Sequence, residues 1–192
     1  MTTRLKLLCH APTSAVRNAE FPADESLEDR ARQKLAALVH NLHHADRCFV
    51  SPSLRARQTA EALNLQAKVE PLLRECDYGR WTGRSVSDLQ AAEPQALIEW
   101  LQSPDAAPHG GESLQDLLAR VAQWLDAQSG ASGLTVVVTH ASVIRAAIVH
   151  AIEAGPRSFW RIDVAPLSVT RLSGEKGRWT LSSIGPIRAM SG

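Results

Sequence analysis

Two short apolar runs near opposite ends of the chain each lead into a histidine. Leu5-Lys6-Leu7-Leu8-Cys9 leads into His10-Ala11, and Leu134-Thr135-Val136-Val137-Val138-Thr139 leads into His140-Ala141. Runs this short, the second rich in β-branched residues, predict buried parallel strands. Between them, Ser26 with Glu28-Asp29 opens a helix running to about Leu42, with Leu27, Ala31, Leu35 and Leu38 on one face. A turn at His43–Asp46 leads to a strand at Arg47–Val50. Ser51-Pro52-Ser53-Leu54 then starts a helix, with Ser51 as its cap. A strand is expected at Ala67–Pro71, helices at Val86–Glu93 and Pro94–Gln102, and a loop at Pro104–Gly111. An amphipathic helix follows at Glu112–Ala127 and another helix at Ser142–Glu153. The tail reads as strands at Phe159–Val164, Leu167–Leu172 and Arg178–Ser182, with a Gly174–Gly177 turn. Strands that alternate with helices predict a parallel-rich α/β sandwich. In such a sheet the strand carboxyl ends form the ligand crevice, so His10 and His140 are expected to face each other across one pocket.

Composition narrows the function. The chain has 192 residues, enough for one domain (1–192) with a sizeable core, and a net charge of +1. No basic tract points to nucleic acid or to a membrane surface, and no apolar run approaches a transmembrane helix. Lys6 interrupts any signal-peptide core. Cys9, Cys48 and Cys76 make no CxxC pair and leave one over, which fits a reducing cytoplasm rather than a disulfide framework. No arginine follows any of them by six residues, as a cysteine phosphatase loop would need; Ala15, Leu54 and Thr82 stand there. His40, His43 and His44 cluster near a helix end without metal-ligand spacing, so no metal and no cofactor are expected. The sequence does not indicate an oligomeric state.

Four ordered blocks carry a resemblance. They are Leu7-Leu8-Cys9-His10-Ala11-Pro12-Thr13, Ser51-Pro52-Ser53-Leu54-Arg55-Ala56-Arg57-Gln58-Thr59-Ala60-Glu61, Leu73-Arg74-Glu75-Cys76-Asp77-Tyr78-Gly79-Arg80-Trp81-Thr82-Gly83, and Val138-Thr139-His140-Ala141-Ser142-Val143-Ile144-Arg145. Gly110-Gly111-Glu112-Ser113-Leu114 and the tail Ala165–Val169 are lesser matches. Together they resemble the histidine phosphatase superfamily, also called phosphoglycerate mutase-like. The resemblance implies a three-layer sandwich, a mostly parallel central sheet flanked by helices. It also implies hydrolysis of a small phosphorylated metabolite without metal.

Each role follows from that resemblance. His10 is the expected nucleophile, forming a phosphohistidine. Arg55 is expected to clamp the phosphoryl oxygens, and His140 to donate to the developing charge. Glu75 is the expected general acid, with Asp77 as its competitor. Thr13 and Ala141, which stand in the same blocks, are further substrate-binding candidates, and Arg17 joins them on its position in the loop after His10 rather than on the resemblance. The family's first block normally reads Arg-His-Gly, and here reads Cys9-His10-Ala11. The missing arginine leaves a non-catalytic or weakly active phospho-ligand binder as one alternative, with a phosphomutase as another. Arg17, seven residues beyond His10, is the candidate that could cover for the lost cation.

Overall fold

A computed structural model describes residues 2–36, 45–175 and 177–187. Its strands are β1 (Thr3–Cys9), β2 (Arg47–Val50), β3 (Lys68–Val69), β4 (Gly133–Thr139), β5 (Ser168–Glu175) and β6 (Arg178–Pro186). They form one sheet in the order β3-β2-β4-β1-β5-β6. The pairs β2–β3, β2–β4 and β1–β4 are parallel, while β1–β5 and β5–β6 are antiparallel. The sheet is therefore mixed and mostly parallel. The helices are α1 (Ser14–Arg17), α2 (Asp29–Ala36), α3 (Leu54–Ala62), α4 (Val86–Ala92), α5 (Pro94–Gln102), α6 (Leu114–Ala127) and α7 (Ala141–Ala151).

Side-chain alternation along the two central strands creates the layers. Leu5, Leu7 and Cys9 of β1 and Val137 of β4 pack with the apolar faces of α6 and α7. Leu8, Val136 and Val138 point the other way and pack with Leu35 of α2 and Ala56 and Ala60 of α3. Both faces of β1 and β4 are thus buried, which is why these runs are nearly continuously apolar. A third cluster of Phe21, Trp81, Leu89 and Leu97, with Tyr78 and Trp100 packed against it, joins the segment after β1 to α4 and α5. No helix among the described residues is long and apolar enough to cross a membrane.

The structure corrects several expectations. Phe159–Val164 is not a strand: Pro156–Arg161 forms a 3-10 turn with Pro at its start, and Phe159 packs into the α6–α7 core. The strand expected at Ala67–Pro71 shrinks to Lys68–Val69, because Pro71 lacks an N–H and opens another 3-10 turn, Pro71–Leu73. The α6 helix begins at Leu114, with Ser113 and Asp116 forming a reciprocal capping box, rather than at Glu112. α2 is described only to Ala36; Leu38, His40, His43 and His44 lie outside the described residues.

Candidate active site

Strand register sets the site. Cys9 stands opposite Thr139, and Val50 opposite Val138. His10 and His140 therefore emerge side by side from the strand ends, and Ser51 follows β2 level with Thr139, one residue before His140. The His10 amide donates to the Thr139 carbonyl and the Ser51 amide to the Val138 carbonyl, both at 2.9 Å. The two imidazole centroids are 5.2 Å apart, inclined at 65°. The chain leaves β1 toward the α2–α3 layer and β4 toward the α6–α7 layer. Their carboxyl ends are thus a topological switch point, where open α/β sheets bind ligands.

The hydrogen bonds of His10 define its chemistry. Nδ1 lies 2.7 Å from the Ala11 carbonyl oxygen. A carbonyl only accepts, so Nδ1 carries the ring proton and Nε2 keeps its lone pair. The Arg55 Nε–H donates to that lone pair at 3.2 Å. Burial, and then the proximity of His140 and Arg55, push the imidazole down to about 3. At neutral pH the ring is neutral and nucleophilic at Nε2.

Unfolded, His10 would titrate near 6.5, whereas folded it resists protonation to about 3. Between those values protons bind the unfolded state preferentially, so its contribution to stability is lost as pH falls through that window. The slope reaches at most about 1.4 kcal/mol per pH unit. Urea denaturation between pH 7 and pH 4 is expected to show a shallower loss in His10→Ala than in the wild type; parallel curves would contradict this.

Glu75 sits at the centre of the charge network. Its Oε2 lies 3.2 Å from Arg55 Nη2 and 3.2 Å from His140 Nδ1. Its Oε1 accepts from the Cys76 amide at 3.0 Å and from the Ser142 hydroxyl. Burial pushes the carboxyl up, but His140, Arg55 and Ser142 together outweigh it and hold Glu75 below the ordinary carboxylate range. The free site therefore contains an ionised Glu75. The opposite ring nitrogen of His140, Nε2, is 2.7 Å from Ser51 Oγ. The sequence assigns Ser51 to a helix cap, but its hydroxyl serves His140. Asp24 Oδ1 instead accepts from the Leu54 amide at 2.6 Å and caps α3.

Arg55 is 1% exposed. Besides His10 and Glu75, its guanidinium donates to the Ala23 carbonyl at 2.6 Å and lies 3.7 Å from Glu25. Thr59, one turn along α3, accepts from the Ala11 amide at 3.0 Å and donates to the Arg55 carbonyl at 2.8 Å, locking α3 onto the loop after β1. The segment preceding Glu75 is anchored from behind. Arg120 grips Glu112 through two 2.6 Å contacts and donates to the Leu72 and Arg74 carbonyls. Gly111 is required beside it, since a Cβ there would lie 2.1 Å from the Asp77 carbonyl oxygen. Ser51, Thr59 and the Glu112–Arg120 pair carry no sequence signal of these roles, because each depends on a partner distant in the chain.

The other candidates are placed as follows. The Cys9 thiol is buried, and burial followed by the Glu75 charge pushes it up to about 12, so it is a neutral group where the family has a cation. Ala11 is not among the residues with left-handed backbone, so its methyl causes no strain in place of glycine. Thr13 is buried and caps α1 by accepting from the Val16 amide. Ala141 opens α7 beside His140. Asp77 is exposed and accepts from the Gly79 amide at 2.9 Å, whereas Glu75 reaches both Arg55 and His140. Arg17 is not brought to the cluster. The α1 helix turns the chain outward directly after Thr13, leaving Arg17 66% exposed and paired with Glu28 at 2.5 Å.

His10, Glu75 and His140 offer ligand atoms all within 4.8 Å of one another, close enough to hold a metal ion. Arg55 bears on that fit, because its permanent cation already donates to the His10 lone pair and contacts Glu75. The donor set suits an anion better than a second cation. A cavity of about 210 Å³ opens beside His10 and Glu75 and continues past Cys9 and Ser142 to Arg145.

The sequence profile described as the histidine phosphatase superfamily (branch 1) matches residues 5–186. Over 127 residues the chain is 36% identical to a bifunctional protein of Mycobacterium tuberculosis, an alignment covering 62% of this chain and 35% of that protein. The chain thus spans about a third of that relative's length. It is 30% identical over 176 residues to the glucosyl-3-phosphoglycerate phosphatase of Mycolicibacterium vanbaalenii, covering 83% and 78% of the two chains. A solved mycobacterial glucosyl-3-phosphoglycerate phosphatase in complex with VO3 matches with a TM-score of 0.82 at 26% identity, covering 93% of this chain and 96% of that one.

Proposed function

Because this chain belongs to the histidine phosphatase superfamily (branch 1), we propose that it hydrolyses a small phosphomonoester, without metal, through a phosphohistidine on His10. The observation that carries this reading is the His10 tautomer: a buried neutral ring with its proton on Nδ1 and its Nε2 lone pair facing the Arg55 guanidinium. A phosphate dianion draws the Arg55 fork from Nε2 onto its own oxygens, which frees the lone pair. Nε2 then attacks phosphorus, and the P–O bond to the alcohol breaks. His140 donates to the charge developing on the transferring group.

The leaving oxygen takes its proton from Glu75. The free site holds Glu75 ionised, but a bound dianion competes for Arg55 and His140 and adds negative charge nearby. Both effects raise the carboxyl's proton affinity and allow it to enter the reaction protonated. Once the alcohol departs, the Glu75 carboxylate accepts a proton from water, whose oxygen attacks the phosphohistidine. Inorganic phosphate and the starting state result. One observation favours the alternative of a binding member: the neutral Cys9 thiol leaves the clamp one cation short.

Radiolabel from a phosphodonor is the test. Wild-type protein is expected to acquire acid-labile, base-stable label at His10, both with and without a strong chelator, and to release phosphate. Absence of label and of turnover would leave the binding reading. Loss of both on chelation, restored by one divalent ion, would overturn the metal-free mechanism and assign His10, Glu75 and His140 to a metal.

A further inference from the structure

We propose that Arg145 and the aromatic walls around it form the leaving-group subsite, selecting phosphomonoesters whose alcohol carries a carboxylate on an apolar body, an inference resting on the phosphatase reading above. Ala141, Ser142 and Arg145 follow the three- and four-residue spacing of one helix face, and all three line the cavity that begins at His10 and Glu75. Facing them are Tyr78, Trp100, Phe159 and Trp160. The rings of Trp100 and Trp160 meet edge to face at 4.7 Å. The cavity is therefore an aromatic chamber that opens at one end onto the reacting centre.

Arg145 is its cation. The guanidinium lies over the Phe159 ring, 5.8 Å from the centroid. Its Nε is buried and has no hydrogen-bond partner among the described residues. The buried arginines nearby differ: Arg55 is paired with Glu75, and Arg120 with Glu112. A buried donor without an acceptor is costly to fold, and a planar fork over an aromatic face is already oriented to take a carboxylate in two parallel hydrogen bonds. The phosphoryl group belongs at the other end, on His10 and Arg55. Cys9, short and neutral, forms the wall where the family places an arginine, so no second fixed cation stands there to compete for the carboxylate.

Charge and size restrict the ligand further. Glu20 lines the same cavity and is held by Asn18 Nδ2 at 3.0 Å; its negative charge disfavours an anion on that side and leaves Arg145 as the anion position. At about 210 Å³, the chamber is smaller than the roughly 300–1,000 Å³ of sites for drug-sized ligands. It suits a compact acid rather than a nucleotide.

Phenyl phosphate and 4-carboxyphenyl phosphate test this directly. The wild type is expected to prefer the carboxylated ester by about tenfold or more in kcat/KM, and Arg145→Gln to abolish that preference. A ratio unchanged in Arg145→Gln would overturn the proposal. So would an equal loss on both esters, which would place Arg145 on the phosphate. Binding to His10→Ala, followed by quenching of Trp100 and Trp160, removes chemistry from the comparison. The carboxylated ester is expected to bind about tenfold tighter there, and the difference to vanish in His10→Ala/Arg145→Gln. A binding preference without any phosphoenzyme would sustain the subsite and sink the phosphatase reading. Turnover without a preference would do the reverse. Should the arginine variant fail to fold, the wild-type preference decides alone: equal rates on the two esters overturn the subsite.

Discussion

Replacing His10 by alanine is expected to reduce phosphomonoester turnover below roughly a few per cent of wild type while leaving the protein folded, because nothing else in the centre can take over as nucleophile. The Cys9 thiol is buried and pushed up to about 12, and Cys76 is pushed up as well, so neither supplies a thiolate at neutral pH. His140 is fully buried and its Nε2 is occupied by Ser51. The fold tolerates the change for a separate reason. The backbone bond from the His10 amide to Thr139 persists, and the lost side chain is neutral, so no buried charge is orphaned. Steady-state rates, with far-UV circular dichroism as the folding control, check this. Turnover above a few per cent in a folded variant would rule out a phosphohistidine on His10.

Arg55→Ala is expected to lose about 10²–10³-fold or more in kcat/KM, the scale of removing one preorganised charged donor from a transition state, and to lose stability as well. The guanidinium is the positive partner of Glu75 at 3.2 Å and of Glu25 at 3.7 Å. Its removal leaves Glu75 as a largely buried carboxylate with no permanent cation beside it, held only by His140, the Ser142 hydroxyl and the Cys76 amide, and breaking a buried pair from one side typically costs about 3–5 kcal/mol. The two effects are separable. Adding Glu75→Gln to Arg55→Ala removes the orphaned charge and should recover part of the stability in urea denaturation, yet none of the activity. Arg55→Lys keeps the charge but not the fork, and should restore little. An Arg55→Ala protein that keeps kcat/KM within a few fold of wild type would exclude the clamp.

The chain itself determines the central strands, the ends at which the two histidines sit, and the amphipathic helices that cover them. These are consequences of local periodicity: Val136, Val137 and Val138 are apolar in succession because both faces of β4 are covered, and Leu117, Val121 and Leu125 recur on one face of α6 because only that face is. His10, Arg55, Glu75 and His140 are legible because each sits in a short ordered block. The tail misled because Phe159, Ile162 and Val164 are apolar whether the backbone is extended or a 3-10 turn, and Pro156 decides for the turn. What only the tertiary structure decided are relations between residues distant in the chain. Ser51 meets His140 because β2 pairs with β4 in one register. Arg17 turns away and Arg145 turns in because the direction of a side chain is set by the helix that carries it and the layer on which that helix packs. The ionised state of Glu75 and the neutral state of His10 arise the same way. Burial and opposing charges shift a proton's affinity only once folding has brought them within a few ångströms of each other.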